Sequence, residues 1–227
     1  PCLTWQVNEE DRTVVDFERT SCDDPHRFEV SARQDLGAYP SSEFGPDAPQ
    51  PDLTRQAQLR EELCETSTMR YLDGRFDPTG RYSIASILPP PQAWAAGDRT
   101  LLCGVQSTDE QGNVLESVGP IADNDQARVA DPGQCLRVDD SNSIAVVDCA
   151  EDHQIEVTSV EDLAPVFPEG APSEEDQDAH LQPVCTQAAI DYLGEEENLY
   201  RSTLQPFWMV ITPGSWNGGS HSTNCGL

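Results

Sequence analysis

A chain of 227 residues is long enough for one large domain or two small ones. Its net charge of −28 sets 41 acidic residues against 13 arginines and no lysine, a surface that repels nucleic acid and anionic lipid headgroups. No stretch approaches the ~20 apolar residues of a membrane span, and the absence of CxxC pairs leaves zinc-ribbon and thioredoxin-type chemistry without support.

In chain order, Cys2–Val7 and Thr13–Phe17 read as a hairpin with Asn8-Glu9-Glu10-Asp11 at its turn. Arg27–Arg33 alternates Phe28, Val30 and Ala32 with polar residues, a half-buried strand. Gly37 to Pro51 is a proline-rich loop. Asp52 is placed to cap a helix running through Leu53, Leu59, Leu63 and Leu72. Strands follow at Ile84–Leu88 and Leu101–Gln106, then a turn at Gln111-Gly112-Asn113 into Val114-Leu115. Past a polar stretch, Leu136–Val138 and Ile144–Val147 make a second hairpin and Gln154–Val160 a strand. Ser173 with Glu174-Glu175 starts a helix, in which Pro183 predicts a kink or a new start. Leu204–Ile211 and Asn224–Leu227 close the second sheet.

This order repeats because the sequence does. Cys22-Asp-Asp-Pro-His26-Arg-Phe-Glu29-Val30 returns as Cys149-Ala-Glu-Asp-His153-Gln-Ile-Glu156-Val157. Cys2-Leu3 matches Cys135-Leu136, and Cys64-x6-Tyr71-Leu72 matches Cys185-x6-Tyr192-Leu193. Pro91-x2-Trp94-x2-Gly97-x5-Cys103 matches Pro213-x2-Trp216-x2-Gly219-x5-Cys225. A repeat this long is a duplicated domain. The expected fold is α+β: two tandem homologous β-β-β-α-β-β units, each a mainly antiparallel sheet with one helix and two disulfides. Residues 1–118 form the first repeat, 119–133 a linker and 134–227 the second.

Eight cysteines suit an oxidising compartment, and small domains gain from disulfides what a limited core does not supply. If both copies pair internally and identically, three patterns remain. Cys135 and Cys149 flank two strands around a polar turn, so they face each other across the ladder within disulfide reach. A bond from helical Cys185 to Cys225 in the last strand pins helix to sheet. The expected pairs are therefore Cys2–Cys22, Cys64–Cys103, Cys135–Cys149 and Cys185–Cys225.

The candidate binding residues are His26, Glu29, Trp94, His153, Glu156 and Trp216. In a strand, i and i+3 point to opposite faces, so each His meets its Glu only if the His precedes the strand. Two such pairs offer a metal site across a pseudo-dyad; the blander reading has each His hydrogen-bonding backbone beside its disulfide, and it is favoured because no third ligand recurs. Trp94 and Trp216 fit a stacking platform for sugar or peptide, or an indole packed over the nearby disulfide; large aromatics in small domains favour the second. No Gly-x-Ser-x-Gly, His-Glu-x-x-His or phosphate loop is present, and Gly219-Ser220-His221-Ser222 makes no triad by adjacency. Asp123-Asn-Asp125 and Asp139-Asp140-Ser-Asn142 lack the Gly and terminal Glu of a calcium loop. No catalytic residue, metal or cofactor is expected.

Cys22-x3-His26-x2-Glu29-Val30, the helical Cys64 and Trp94-x2-Gly97-Asp98-Arg99-x3-Cys103 resemble the actinobacterial septum-formation domain family. Cys149, His153, Glu156, Cys185, Trp216 and Cys225 match it again, although Gly97-Asp98-Arg99 becomes Gly219-Ser220-His221. The resemblance implies a membrane-anchored or secreted envelope protein with a part in cell division. The chain also begins inside what the second copy marks as a strand, which reads as an ectodomain with its export signal or anchor upstream. The expectation is a non-enzymatic extracytoplasmic domain that binds or scaffolds an envelope protein or cell-wall glycan. The alternatives are a metal-binding or acid–base enzyme built on the His/Glu pairs, and a structural spacer.

Overall fold

The computed structural model describes residues 1–7, 14–109, 112–139 and 144–227; of Val14 and Val15 it describes the backbone. The expected turn at 8–11, the strand start at Thr13, Gln111 and the 140–142 part of the second acidic turn lie outside the described residues. Two compact units form: Pro1–Arg75 with Tyr82–Asn124, and Phe76–Arg81 with Asp125–Leu227.

Unit 1 contains strands β1 (Cys2–Val7), β2 (Val14–Thr20), β3 (Phe28–Asp35), β4 (Tyr82–Ile87), β5 (Thr100–Thr108) and β6 (Val114–Leu115). They form one antiparallel sheet in the order β2-β1-β3-β5-β4, with β6 on β5. Asp52 caps helix α1 (Leu53–Leu59) by accepting from the Arg55 amide. The helix passes through a π-turn at Arg60–Cys64 into α2 (Glu65–Tyr71). Pro91 opens the one-turn helix α3 (Pro91–Ala95), where its missing N–H costs nothing. The helix-side core gathers Leu36, Phe44, Leu59, Trp94 and Leu101 around Cys64 and Cys103.

Unit 2 contains β7 (Cys135–Val138), β8 (Ile144–Val147), β9 (Ile155–Asp162), β10 (Phe207–Trp208) and β11 (Ser222–Gly226), antiparallel in the order β10-β11-β9-β7-β8. Its helices are α4 (Glu174–Leu193), α5 (Glu196–Arg201) and α6 (Pro213–Gly218). Ser173 caps α4 at the Asp176 amide, as its sequence position predicts. Of the kink or new start expected at Pro183, the new start does not occur: α4 runs through it. Leu181, Cys185 and Ala189, spaced by four, are buried on one face, and that packing outweighs the single lost backbone bond. In unit 1 the π-turn ends at the helical cysteine, and in unit 2 Pro183 stands two residues before its counterpart. The closing strand expected over 204–211 is only Phe207–Trp208.

The two α+β units and all four disulfides agree with the sequence: Cys2–Cys22, Cys64–Cys103, Cys135–Cys149 and Cys185–Cys225. Residues read as a linker are packed. Ile121 is buried in unit 1, and Gln126, Ala127 and Ala130 are buried in unit 2. Within unit 2, Asp77 of the 76–81 segment accepts from the Thr79 amide and from both the Thr79 and Ser220 hydroxyls. Burial pushes the Asp77 carboxyl up, but these donors together outweigh it and hold it below the usual carboxylate range.

Candidate functional site

Both histidines lie just before a strand, His26 ahead of β3 and His153 ahead of β9. That placement meets the condition under which His and Glu converge. In each unit the ring Nδ1 donates to the carbonyl two residues back: His26 to Asp24 at 2.9 Å and His153 to Glu151 at 2.8 Å. A carbonyl only accepts, so Nδ1 carries the proton and Nε2 is left as the ring's acceptor.

The glutamates complete the cluster with a residue the sequence analysis aligned but did not select. Tyr71, at the end of α2, donates to Glu29 Oε1 at 2.6 Å. Tyr192, near the end of α4, donates to Glu156 Oε2 at 2.8 Å. Each tyrosine stands seven residues after the helical cysteine, two turns along the same face. The disulfide presses that face onto the sheet, which carries the phenol to the first residues of β3 or β9. Burial, then the Glu29 carboxylate, push the Tyr71 phenol up; at Tyr192 the Glu156 hydrogen bond is the larger cause.

The copies differ in exposure. His26 and Glu29 are each 1% exposed. The chain beyond β5 covers them: Ser117 exchanges both backbone hydrogen bonds with His26, and the Ile121 amide donates to Glu29 Oε2 at 2.8 Å. His26 Nε2 is buried with no hydrogen-bond partner among the described residues. In unit 2 the side chains of His153 and Glu156 are 21% and 41% exposed, and Nε2 lies 3.3 Å from Glu156 Oε1. The Glu151 carbonyl on Nδ1 is the main cause that raises the His153 pKa; burial opposes it, and the Glu156 carboxylate on Nε2 adds to the rise.

Among the described residues, two groups place metal-ligating atoms close together: Cys2, His26 and Glu29, and Cys135, His153 and Glu156, each within 4.8 Å. Each group draws all its members from one unit. Both sulfurs are in disulfides, so each group offers one imidazole and one carboxylate, short of the three protein ligands of a typical zinc site.

Trp94 and Trp216 are not platforms. Both indoles are buried in cores that hold the Cys64–Cys103 and Cys185–Cys225 pairs, and a stacking site needs an open ring face. The Trp94 indole N–H donates to the Ala48 carbonyl at 2.8 Å. Arg99 lies 4.1 Å over that ring and donates to the carbonyls of Phe44, Gly45, Pro46, Trp94 and Asp98. Where the second copy has His221 instead, its ring sits 4.8 Å from Trp216, so a different side chain covers the indole.

The sequence also carries Gly104 and Gly226, each directly after the last cysteine of its repeat. A Cβ on Gly104 would meet the Glu29 carbonyl and the Phe28 ring; one on Gly226 would meet Ile155 and the Glu156 carbonyl. Glycine here lets β5 and β11 lie close over the glutamate's backbone.

The septum-formation family matches residues 1–225. The chain belongs to that family. It is 35% identical over 230 residues to two Mycobacterium tuberculosis proteins, each named an uncharacterized membrane protein: MT3943 of strain CDC 1551 / Oshkosh and Rv3835 of strain ATCC 25618 / H37Rv. The alignment covers all of this chain and 50% of each relative, so the chain spans about half the length of the curated relatives it matches. No solved structure matches it. Among the described residues, no helix of this septum-formation domain pair is long and apolar enough to cross a membrane.

Proposed function

We propose that this septum-formation chain is the extracytoplasmic, non-enzymatic part of a membrane-anchored envelope protein, and that it binds or positions an envelope partner, a protein or a cell-wall glycan, during cell division. One observation carries the reading. In both units the recurring His bonds to the backbone of its disulfide loop, and the recurring Tyr bonds to the Glu, tying helix to strand. Such a cluster holds a frame; recognition then falls to the surfaces the frame presents. Four disulfides fit an oxidising compartment, and the relatives are named membrane proteins.

The test uses the full-length protein with a tag that fluoresces outside the membrane. Septal enrichment, with cleavage of the domain by protease added to intact cells, is the expected result. An even distribution around the envelope, or complete protection from protease, overturns the reading.

A second reading has one observation in its favour, the part-open His153–Glu156 pair. It makes unit 2 an acid–base or metal-assisted site. Calorimetric titration with Zn²⁺ and Cu²⁺ decides the metal form: stoichiometric binding lost in His153→Gln supports it, and no heat removes it.

A further inference from the structure

The exposed aromatic residue Phe17 and its surroundings are unexplained by the frame. Along β5, Leu101 and Cys103 join the helix-side core while Leu102 joins Leu3, Trp5, Phe28 and Val30, so this second cluster lies on the opposite face of the unit 1 sheet. A groove of about 540 Å³ opens there, lined by Trp5, Phe17, Ile87, Leu88, Pro89 and Leu102. Arg33 and Asp98 stand among its polar lining residues.

The groove's aromatic wall is held by an irregularity. Thr4 pairs with Glu18 and Gln6 with Val15, so Trp5 faces two residues, Asp16 and Phe17, across a β-bulge. Asp16 takes φ 52°, a left-handed conformation uncommon outside glycine and more tolerable for Asp than for most residues. The bulge sets Phe17 on Trp5, ring centroids 5.6 Å apart and planes 15° from parallel. Phe17 is nevertheless 49% exposed.

Trp5 also borders a second cleft, of about 350 Å³, which contains Asp16, Glu18, Arg27 and Glu116. Arg27 is occupied: it donates to the carbonyls of Trp5 and Val114 and pairs with Glu116 at 3.3 Å. The exposed carboxylates of Asp16 and Glu18 have no hydrogen bond or ion pair among the described residues. An apolar groove thus adjoins an acidic cleft in a chain of net charge −28.

We infer that this surface docks an extended segment of a partner protein that joins aliphatic side chains to lysine or arginine. The aliphatic groups cover Phe17 and fill the groove, and the cation meets Asp16 and Glu18. Charge selects this occupant: a second copy of this chain brings another −28, and anionic segments meet the same repulsion. The inference rests on the partner-binding reading above and names the partner's chemistry.

The test uses the purified chain and two synthetic nine-residue peptides with one aliphatic pattern, alternating with Lys in one and Glu in the other. The Lys peptide is expected to bind with NMR shifts at the Trp5 indole and Phe17 ring, at least about tenfold tighter than the Glu peptide. Phe17→Ala should weaken it about tenfold while the chain stays folded, as its far-UV spectrum reports, and Glu18→Gln should weaken it and flatten its salt dependence. No shift at these rings, equal binding of both peptides, or a chitin oligosaccharide binding at Phe17 in place of the peptide would overturn the proposal. In cells, septal enrichment that survives Phe17→Ala removes the groove and leaves the septal reading standing. Peptide binding by a protein that never reaches the septum does the reverse.

Discussion

Tyr192 donates a 2.8 Å hydrogen bond to Glu156, and through that glutamate the end of a helix is tied to the start of a strand 36 residues away in sequence. Tyr71 and Glu29 make the same bond at 2.6 Å across 42 residues. The duplication has preserved a long-range contact, while the two surroundings have diverged in exposure.

That divergence sets the cost of losing the phenol. Tyr71→Phe leaves a buried carboxylate one donor short and should destabilise unit 1 by about 2 kcal/mol in denaturant titration. Tyr192→Phe should cost under about 1 kcal/mol, because water reaches Glu156. Equal losses would show that burial does not govern the cluster.

Unit 2 should carry a histidine-dependent pH response. The folded pKa of His153 lies above its unfolded value. The stability it contributes is then complete below the unfolded pKa near 6.5 and falls as pH rises through the folded value. Melting temperatures between about pH 5.5 and 8.5 should decline in this way in the native chain. The decline should shrink in His153→Gln; a persisting slope assigns the response to another group.

A single replaced residue explains an orphaned hydroxyl. In unit 1, Ser31 and Thr68 share a hydrogen bond at 2.8 Å between strand and helix. The matching positions in unit 2 are Thr158 and Ala189, and the buried Thr158 hydroxyl has no partner among the described residues. Ala189→Ser restores a hydroxyl four residues after the helical cysteine and should stabilise unit 2 by about 1 kcal/mol. A lower melting temperature would mean that the site has closed around alanine.

The disulfides should differ in weight. Cys185–Cys225 closes a separation of 40 residues and Cys135–Cys149 one of 14. Loop entropy gives about 4 and about 3 kcal/mol, and only the first links a helix to the closing strand. The Cys185→Ala/Cys225→Ala variant should therefore melt lower than Cys135→Ala/Cys149→Ala. The reverse order would place the main constraint in the hairpin.

Spacing along the chain made much of this legible. The repeated cysteines predicted both units and every bridge, and Asp52 and Ser173 marked their helices. Tyr71 and Tyr192 were visible in the alignment of the copies, and their offset of seven from a helical cysteine was the available signal. Pro183 starts no new helix, because the packed face of Leu181, Cys185 and Ala189 outweighs a local propensity. For Trp94 and Trp216 the size of an indole in a small domain favoured burial over display, and both are buried.

The sequence by itself determined the duplication, the sulfur pairing and the element types, because periodicity, caps and cysteine order act along the chain. Only the tertiary structure decided that His, Glu and Tyr converge, that one cluster is sealed and the other part-open, and that Phe17 lies against Trp5 at the rim of a groove. These depend on which side chains meet when a helix packs on a sheet and a bulge shifts a strand, and such contacts join residues that no local pattern relates.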